Sequence, residues 1–384
     1  GQMDQAKDTP QNLIELLRYL RLENIPEEMH KTYIDNYFEN RARKKGIPLK
    51  GQFELTPFCN LDCKMCYVHL NKEQMENKQL LDPEQWEMLM KQAIDSGMRK
   101  AVLTGGECLT YPGFEKLYLY LQSRGIEVQV YTNGILLTKK KIEFFKKNLP
   151  ARIQISVYGS DESGYEKVTG HQVYRTVINN IELAEQANLP IQIAITPNIY
   201  MGKDAEKIIQ YMSEKKIPYQ INNTIFEPRT ETGRNGAGKL DIDTDEYIRL
   251  FQMQAQLSGE KLLKVKEEKL PKLPKNMGMK KGIRCAAGKS SFHINWEGIM
   301  SGCDMLNDRK EEPLRTGFQE AWDTIHKAAL EYPMALQCEI CEYSKGCICC
   351  PAVHQQNGEM KGKCSPVVCE RTRKFAAEGL IKLE

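Results

Sequence analysis

Three closely spaced cysteines, Cys59, Cys63 and Cys66, have the clearest capacity for chemistry in this sequence. Their spacing, Cys-x3-Cys-x2-Cys, lies in a loop directly after a strand predicted over residues 52–56. This is not the four-cysteine spacing of a zinc ribbon. Three thiolates on a cluster of four irons leave one iron without a protein ligand, and that iron can chelate a small molecule. The triad therefore predicts an iron–sulfur cluster with one open position.

Ten further cysteines divide into Cys108 and a C-terminal group of nine, with 176 cysteine-free residues between them. A chain of 384 residues buries roughly three quarters of its unfolded surface and needs no disulfides to hold a core. The cysteines are therefore predicted to be metal ligands or redox groups in a reducing compartment. The nine are Cys285, Cys303, Cys338, Cys341, Cys347, Cys349, Cys350, Cys364 and Cys369.

Charge and hydropathy exclude several classes of protein. Lys and Arg number 54 against 51 Asp and Glu, and a net charge of +3 is too small to favour a nucleic-acid partner. No apolar run approaches the roughly 18 residues that span a bilayer, and the N-terminus lacks the order of a secretory signal. We therefore expect a cytoplasmic protein with neither a nucleic-acid nor a membrane partner.

The cysteine-free stretch alternates strand and helix patterns, which predicts an α/β fold. Six such units favour a parallel sheet curved into a full or partial barrel, with ligands at the C-terminal ends of the strands. An open doubly wound sheet is the alternative. The predicted strands cover residues 52–56, 100–104, 127–131, 152–156, 191–196 and 218–223. The predicted helices cover residues 82–96, 114–123, 139–147, 173–187, 204–214 and 245–256.

Four segments are predicted along the chain. A helical N-terminal segment over residues 1–48 precedes the barrel, which is placed at 49–257. Residues 258–282 are rich in lysine and contain two prolines, which is typical of a basic linker or a covering loop. The last segment, 283–384, contains the nine C-terminal cysteines.

The triad, together with the segment Thr104-Gly105-Gly106-Glu107 after the second predicted strand, resembles the radical S-adenosylmethionine superfamily. That resemblance implies a partial (β/α)6 barrel whose open iron holds the amino and carboxylate groups of S-adenosylmethionine. It also implies an activity: the reduced cluster cleaves the cofactor to methionine and a 5'-deoxyadenosyl radical, which abstracts a substrate hydrogen. The cofactors would supply the chemistry and the protein the orientation.

The same resemblance assigns cofactor contacts around the barrel. Glu107 would meet the ammonium group of the cofactor, and two glycines before it allow close backbone approach. Met65 stands where the family has an aromatic residue, and Tyr67 follows the third cysteine instead. The Asn133 segment is equally consistent with a plain turn. The implied cofactor-binding residues are Met65, Tyr67, Gly105, Gly106, Glu107, Asn133, Ser156, Thr196 and Arg229.

The C-terminal cysteines resemble the SPASM extension of radical enzymes, which carries two auxiliary four-iron clusters. The matching patterns are Cys285-x12-Gly298-x4-Cys303 and Cys338-x2-Cys341-x5-Cys347. The family's next spacing falls on Pro351, so Cys350 is the better match there. A pair of zinc knuckles is the alternative. The resemblance implies Cys285, Cys303 and Cys350 as ligands of the nearer cluster, whose fourth site is open or filled by Cys349. It implies Cys338, Cys341, Cys347 and either Cys364 or Cys369 as ligands of the farther cluster.

Two residues are candidates for catalysis. Asp304 follows Cys303, and a carboxylate beside an auxiliary cluster can accept a proton as a substrate radical is oxidised. Cys108 replaces the proline that is common after the Gly-Gly-Glu segment of the family. It is either a small buried hydrophobe or a thiol that donates hydrogen near the radical.

The resemblance favours an anaerobic maturase that forms a thioether or carbon–carbon crosslink in a ribosomally made peptide. The alternatives are a sulfatase-type maturase that converts Cys or Ser to formylglycine, a peptide epimerase, a small-molecule dehydrogenase, and a non-enzymatic iron–sulfur or zinc scaffold. Three [4Fe-4S] clusters and S-adenosylmethionine are the expected cofactors. The expected partners are a peptide or protein substrate, an electron donor such as flavodoxin or ferredoxin, and a separate leader-binding protein.

Overall fold

The computed structural model describes residues 27–68, 70, 72–75, 78–229, 237–266, 271–272, 279–306, 308–344, 346–347, 350–356, 358 and 362–381. Residues 1–26 of the predicted N-terminal segment, parts of the predicted linker and Cys349 lie outside this set.

Helices and strands alternate through most of the described chain. The helices are α1 Glu27–Lys45, α2 Lys72–Met75, α3 Pro83–Asp95, α4 Phe114–Ser123, α5 Lys139–Lys147, α6 Glu162–Thr169, α7 Tyr174–Gln186, α8 Asp204–Glu214, α9 Thr244–Leu257, α10 Pro313–Thr316, α11 Phe318–Glu331, α12 Gln337–Ile340, α13 Pro351–Gln356 and α14 Pro366–Ala377. The strands are β1 Lys50–Glu54, β2 Lys100–Thr104, β3 Glu127–Thr132, β4 Arg152–Val157, β5 Ile191–Ile195, β6 Tyr219–Ile221, β7 Met279–Lys281, β8 Ser291–Ile294, β9 Met300–Ser301, β10 Lys310–Glu311 and β11 Pro333–Ala335.

Strands β1 to β6 lie side by side in chain order, and every neighbouring pair among them is parallel. A doubly wound sheet reverses its strand order part-way, so this order excludes that alternative. A helix follows each strand, as the predicted βα repeat requires, and all six predicted strands are present to within two residues at each end. The α/β partial barrel predicted from the sequence is confirmed.

Helix α3 illustrates why these segments fold as they do. The Asp82 side chain accepts a hydrogen bond from the Gln85 backbone N–H at 2.8 Å, and the Gln85 side chain accepts one from the Asp82 N–H at 3.0 Å. This reciprocal cap satisfies two of the unpaired donors at the helix start, and Pro83 fits the first helical position. The buried face of the helix consists of Trp86, Leu89, Met90 and Ala93.

The C-terminal region extends the sheet of the barrel, while β7 and β11 pair in a separate two-stranded antiparallel sheet. Strand β8 pairs in parallel with β1, and β9 and β10 continue the sheet beyond it, so nine strands form one sheet. Phe292 on β8 packs edge-on against Phe53 of β1 and Phe318 of α11, with ring centroids 5.8 and 5.0 Å apart. The predicted segment boundary at 282/283 therefore marks no break in the hydrophobic core.

The segments at either side of the barrel pack against it. Lys100 forms ion pairs with Asp35 and Glu39, which ties α1 to the start of β2. In the predicted linker, Val265 N–H donates to the Ala377 carbonyl at 2.8 Å, so this part of the linker covers α14. None of the helices in the described residues is both long enough and apolar enough to cross a membrane.

Replacing Phe292 with Ala tests whether the barrel and the C-terminal region share one core. Phe292 is buried between the first strand and α11. Loss of a buried Phe side chain should lower the free energy of unfolding by about 3–5 kcal/mol. Denaturant unfolding should show this as a single shifted transition, whereas Leu149→Ala at an exposed site should change little. Two separate transitions, only one of them shifted, would contradict a shared core.

Candidate functional site

The cysteine loop, residues 55–68, lies across the C-terminal ends of the neighbouring strands. Gly106 N–H donates to the Thr56 carbonyl at 2.7 Å, and Glu107 N–H donates to the Phe58 carbonyl at 2.8 Å. Asp62 N–H makes a similar bond to the Thr169 carbonyl at the end of α6. These backbone bonds fix the loop at the edge of the sheet where the parallel strands end.

Gly105 and Gly106 are packed directly beneath this loop. A Cβ atom at Gly105 would lie 2.3 Å from the Thr56 carbonyl oxygen, and one at Gly106 would lie 2.3 Å from the Phe58 carbonyl oxygen. Gly105 also has φ +139°, which favours glycine. The two glycines are therefore required by the close approach of the cysteine loop itself, whatever they contribute to a bound cofactor.

The three thiols of the loop lie close enough to influence one another's ionisation. Burial raises the pKa of Cys59 to about 12, and the nearby Glu107 carboxylate adds to this effect. Burial also raises the pKa of Cys63 well above its usual value, with further contributions from Cys66 and Cys59. A positively charged metal group offsets the cost of ionising these buried and half-buried thiols, so this donor set fits an iron–sulfur cluster.

In the described part of the chain, no group of three or more His, Cys, Asp or Glu side chains is arranged to hold a single metal ion. The ligands of a four-iron cluster bind separate irons, so they are spaced differently from the ligands of one ion.

Glu107 and Asn133 join the end of β3 to the cysteine loop. The fully buried Glu107 carboxylate accepts hydrogen bonds from the Thr132 hydroxyl at 2.8 Å and the Asn133 N–H at 2.7 Å. Asn133 Nδ2 in turn donates to Asn60 Oδ1 at 2.7 Å and lies 3.6 Å from Cys59 Sγ. Burial raises the Glu107 pKa, and these donors oppose that shift. Asn133 therefore takes part in the thiol site and is more than a turn residue.

Ser156 and Tyr158 approach the triad from the end of β4. A hydrogen bond from Tyr158 partly offsets the raised pKa of the Cys63 thiol, and Ser156 makes a similar bond to the Tyr158 hydroxyl. The sequence singled out Ser156 and noted Tyr158 only as a departure from the family pattern. Tyr158, through its effect on the Cys63 pKa, is the more directly linked of the two residues to the thiol.

The other expected cofactor or catalytic residues occupy varied environments. Thr196 accepts a hydrogen bond from Asn222 Nδ2 at 2.9 Å, beyond the end of β5. Met65 is buried in the main hydrophobic cluster. Cys108 is fully buried and donates its S–H to the Tyr131 carbonyl at 3.2 Å, in keeping with the small-hydrophobe interpretation.

A buried ionic network lies beside the triad at the end of β1. Arg229 forms a bidentate pair with Glu54, in which one contact measures 2.9 Å, and His293 Nε2 lies 3.3 Å from the same carboxylate. Burial opposes ionisation of Glu54, but Arg229 and His293 outweigh it and lower the Glu54 pKa to about 2. The Arg229 guanidinium stacks over the rings of Tyr67 and Trp296, 5.5 Å from each centroid.

Asp304 connects this network to the C-terminal cysteines. Its Oδ2 accepts hydrogen bonds from Gln52 Nε2 at 2.8 Å and the Tyr67 hydroxyl at 3.2 Å, while its Oδ1 lies 3.5 Å from Cys303 Sγ. Asp304 and Cys303 also line a cavity of about 250 Å³ together with Arg229. Tyr67 directly follows the triad, so its hydrogen bond to Asp304 links the two thiol regions.

The C-terminal thiols in the described residues form two groups. Cys303, Cys350 and Cys285 interact electrostatically in one group, next to Asp304. Five thiols surround a second, smaller cavity, and two of them, Cys338 and Cys364, have Sγ atoms 2.7 Å apart. The five are Cys338, Cys341, Cys347, Cys364 and Cys369.

Several residues of the site were not identified from the sequence. Glu54 and His293 each stand between two apolar residues at a short strand. An ionisable side chain at such a position was the available signal for a functional role. Gln52 carried no signal, because its role depends on the pairing of β8 with β1.

Comparison with known proteins agrees with this geometry. Residues 53–212 match the family model described as the radical SAM superfamily. The chain carries a radical SAM domain. This domain implies one [4Fe-4S] cluster and S-adenosylmethionine as cofactors.

Two relatives and one solved structure indicate the wider similarity. The sporulation killing factor maturation protein SkfB of Bacillus subtilis is 26% identical over 55% of this chain and 50% of its own length. The AdoMet-dependent heme synthase of Methanosarcina barkeri is 22% identical over 78% of this chain and 90% of its own length. Streptococcus suis SuiB, solved with S-adenosylmethionine, is 17% identical with a TM-score of 0.66, covering 92% of this chain and 86% of SuiB. This chain thus spans half the length of SkfB, and the SuiB fold is shared almost throughout.

Replacing Gly106 with Ala tests the packing beneath the cysteine loop. The added methyl group would overlap the Phe58 carbonyl, so the loop must move away from β2. We expect anaerobically reconstituted Gly106→Ala protein to contain about four fewer irons per chain than the wild type, because the cluster nearest this loop is not retained. Leu149→Ala, at an exposed site away from the cysteine loop, is the control. An unchanged iron content in Gly106→Ala protein would show that the loop does not depend on this contact.

Proposed function

We propose that this protein is a radical S-adenosylmethionine enzyme that oxidatively modifies a ribosomally synthesised peptide. The observation that carries the proposal is the joining of two thiol regions through Tyr67 and Asp304, at the end of a partial barrel. One region suits a cluster with an open iron, and the other supplies thiols for electron acceptors. An enzyme that uses one cluster to abstract a hydrogen would need only the first of these regions.

The loop thiols Cys59, Cys63 and Cys66 would hold the radical-generating cluster. When bound, this cluster and S-adenosylmethionine supply the electron and the radical that removes a substrate hydrogen. The chain's own residues orient the cofactor and exclude water. The residues proposed to line the cofactor site are Met65, Tyr67, Gly105, Gly106, Glu107, Asn133, Ser156 and Thr196.

The C-terminal thiols would hold two auxiliary [4Fe-4S] clusters, which brings the proposed total to three. Cys285, Cys303 and Cys350 form the nearer set, with Cys349 or an open site as its fourth position. Cys338, Cys341 and Cys347 form the farther set with Cys364 or Cys369, and both of these thiols face the same small cavity. Asp304 Oδ1, close to Cys303 Sγ, is placed to accept the proton that leaves an oxidised substrate.

A peptide substrate is supported by the relatives. SkfB is by its name a maturation protein for a killing factor, and SuiB has also been solved with its precursor peptide SuiA. An electron donor such as flavodoxin or ferredoxin is required to reduce the first cluster, and a separate leader-binding protein is a further proposed partner.

We propose that the domain boundaries follow the four sequence segments, with the shared sheet joining the barrel to the SPASM region.

A second candidate function is modification of a small molecule. The alignment with this chain covers 90% of the length of the Methanosarcina barkeri heme synthase, compared with 50% of the length of SkfB. Mass spectrometry separates the candidates once a short cysteine-containing peptide encoded beside this gene is incubated with the enzyme. Loss of two hydrogens without a new aldehyde favours a crosslink, and an aldehyde at a Cys or Ser position, detected by its reaction with a hydrazine, favours the sulfatase-type activity. A peptide that is unchanged in both mass and stereochemistry favours the small-molecule substrate.

The triad variant Cys59→Ala/Cys63→Ala/Cys66→Ala tests the first cluster. Reconstituted wild-type protein should form 5'-deoxyadenosine from S-adenosylmethionine under reducing, anaerobic conditions, and the variant should form none above the reagent background. Chromatography of the reaction mixture measures the product. The variant should still retain about eight irons per chain, because the auxiliary thiols are intact. Product formation by the triad variant would refute the proposed function.

Cys303→Ala tests the auxiliary region separately. The triad remains intact in this variant, so 5'-deoxyadenosine should still form without peptide at a rate within about threefold of the wild type. Modification of the peptide identified above should fall by more than about tenfold, because the proposed acceptor of the second electron is lost. Leu314→Ala, a partly exposed site outside both thiol groups, serves as the control. Full peptide modification by Cys303→Ala protein would argue against an auxiliary role for this thiol.

A further inference from the structure

Arg229 is already engaged by groups of its own chain. Its two terminal nitrogens pair with the two oxygens of Glu54, and the side chains of this pair are only 14% and 1% exposed. The guanidinium carbon also lies 5.5 Å from the ring centroids of both Tyr67 and Trp296. A planar fork held in this way by a carboxylate and two rings is fixed in orientation.

The backbone of Arg229 is tied to the same neighbours. Its N–H donates to the Tyr67 carbonyl at 3.0 Å, and Gln356 holds the preceding segment through bonds to Ile225 and Glu227 of 2.7 and 3.2 Å. The segment after β6 is therefore clamped between the triad loop and α13. Arg229 cannot turn toward a ligand without disturbing Tyr67.

Tyr67 passes this constraint on to Asp304. The Tyr67 hydroxyl is one of two donors to Asp304 Oδ2, and the second is Gln52 on β1. Together these bonds orient the carboxylate so that its other oxygen lies beside Cys303. A shift of the Tyr67 ring would remove one donor and change the position of the carboxylate.

We infer that Arg229 is a positioning residue: held by Glu54, it fixes the Tyr67 ring and thereby the Asp304 carboxylate beside Cys303, instead of binding the carboxylate of the cofactor. This inference rests on the proposed function, because it gives Asp304 a place in the auxiliary region. It revises the role that the family resemblance implies for Arg229.

The two roles predict opposite results for cofactor binding. Loss of a charge-assisted contact to the cofactor would weaken S-adenosylmethionine binding by tenfold or more. A positioning role leaves the dissociation constant within about threefold of the wild type. It instead shifts the midpoint potential of an auxiliary cluster, because the charged Asp304 moves relative to Cys303.

The experiment uses reconstituted full-length Arg229→Gln and Tyr67→Phe proteins. S-adenosylmethionine binding is measured anaerobically by equilibrium dialysis, and cluster potentials are measured by redox titration followed by electron paramagnetic resonance. The double variant Glu54→Gln/Arg229→Gln removes both buried charges. It takes the place of Arg229→Gln in both measurements if the single variant does not fold.

Arg371→Gln is the matched control. Arg371 also pairs with a carboxylate, Asp241, and stacks 5.3 Å over the ring of Tyr247. It lies two residues beyond Cys369 on α14, about 200° around the helix, and faces away from that thiol.

The expected result is unchanged S-adenosylmethionine affinity in Arg229→Gln, with an auxiliary potential that is shifted in Arg229→Gln and Tyr67→Phe but not in Arg371→Gln. A tenfold loss of affinity confined to Arg229→Gln overturns the inference, as does an auxiliary potential that either Arg229→Gln or Tyr67→Phe leaves at the wild-type value. Wild-type protein that binds no S-adenosylmethionine overturns the proposed function itself.

Discussion

The close approach of two backbone segments is the constraint on which the site depends. The cysteine loop lies on Gly105 and Gly106 with no space for a side chain between them, and its carbonyls accept hydrogen bonds from the second strand. Short, backbone-mediated contacts of this kind set loop position more tightly than exposed side chains do. The loop's orientation in turn brings Cys59 to Asn133 and Tyr67 to Asp304. The geometry of both thiol regions therefore follows from a contact that contains no catalytic side chain.

Burial of the loop thiols has a direct energetic consequence. Burial raises the pKa values of Cys59 and Cys63 and so favours the protonated thiols. Iron binds the thiolate form, and cluster assembly must release these protons. The hydrogen bonds from Asn133 and Tyr158 act in the opposite direction to burial, because they stabilise the thiolates. The site thus combines a dry environment with a small number of donors directed at sulfur, a combination that sets the properties of iron–sulfur clusters.

Much of this arrangement could be predicted from the sequence, since it depends on local patterns. The βα alternation predicted six parallel strands, with a barrel favoured over a doubly wound order, and the Gly-Gly-Glu segment was correctly placed at the end of β2. The pairing of β8 with β1 could not be predicted in this way. It joins residues more than 200 positions apart through a strand of four residues, and such a short apolar run has no distinctive period.

The partners of Arg229 and Asp304 escaped prediction for the same reason. Glu54 lies next to Arg229 only after the barrel has formed, and Gln52 reaches Asp304 only because the C-terminal strands extend the sheet from β1. A family resemblance assigns roles by position along the chain, and it cannot show that a side chain is already engaged elsewhere. Arg229 and Tyr158 are the two positions at which the three-dimensional contacts changed the interpretation most.

The most direct test of the central claim is the location of iron in the folded protein. Diffraction data collected on either side of the iron absorption edge, from anaerobically reconstituted crystals, would give an iron-specific difference map. The account predicts a compact group of iron peaks bound by Cys59, Cys63 and Cys66, facing Glu107 and Asn133, with further groups beside Cys303 and Cys338. Absence of iron at the triad, or a signal there at the zinc edge only, would contradict it.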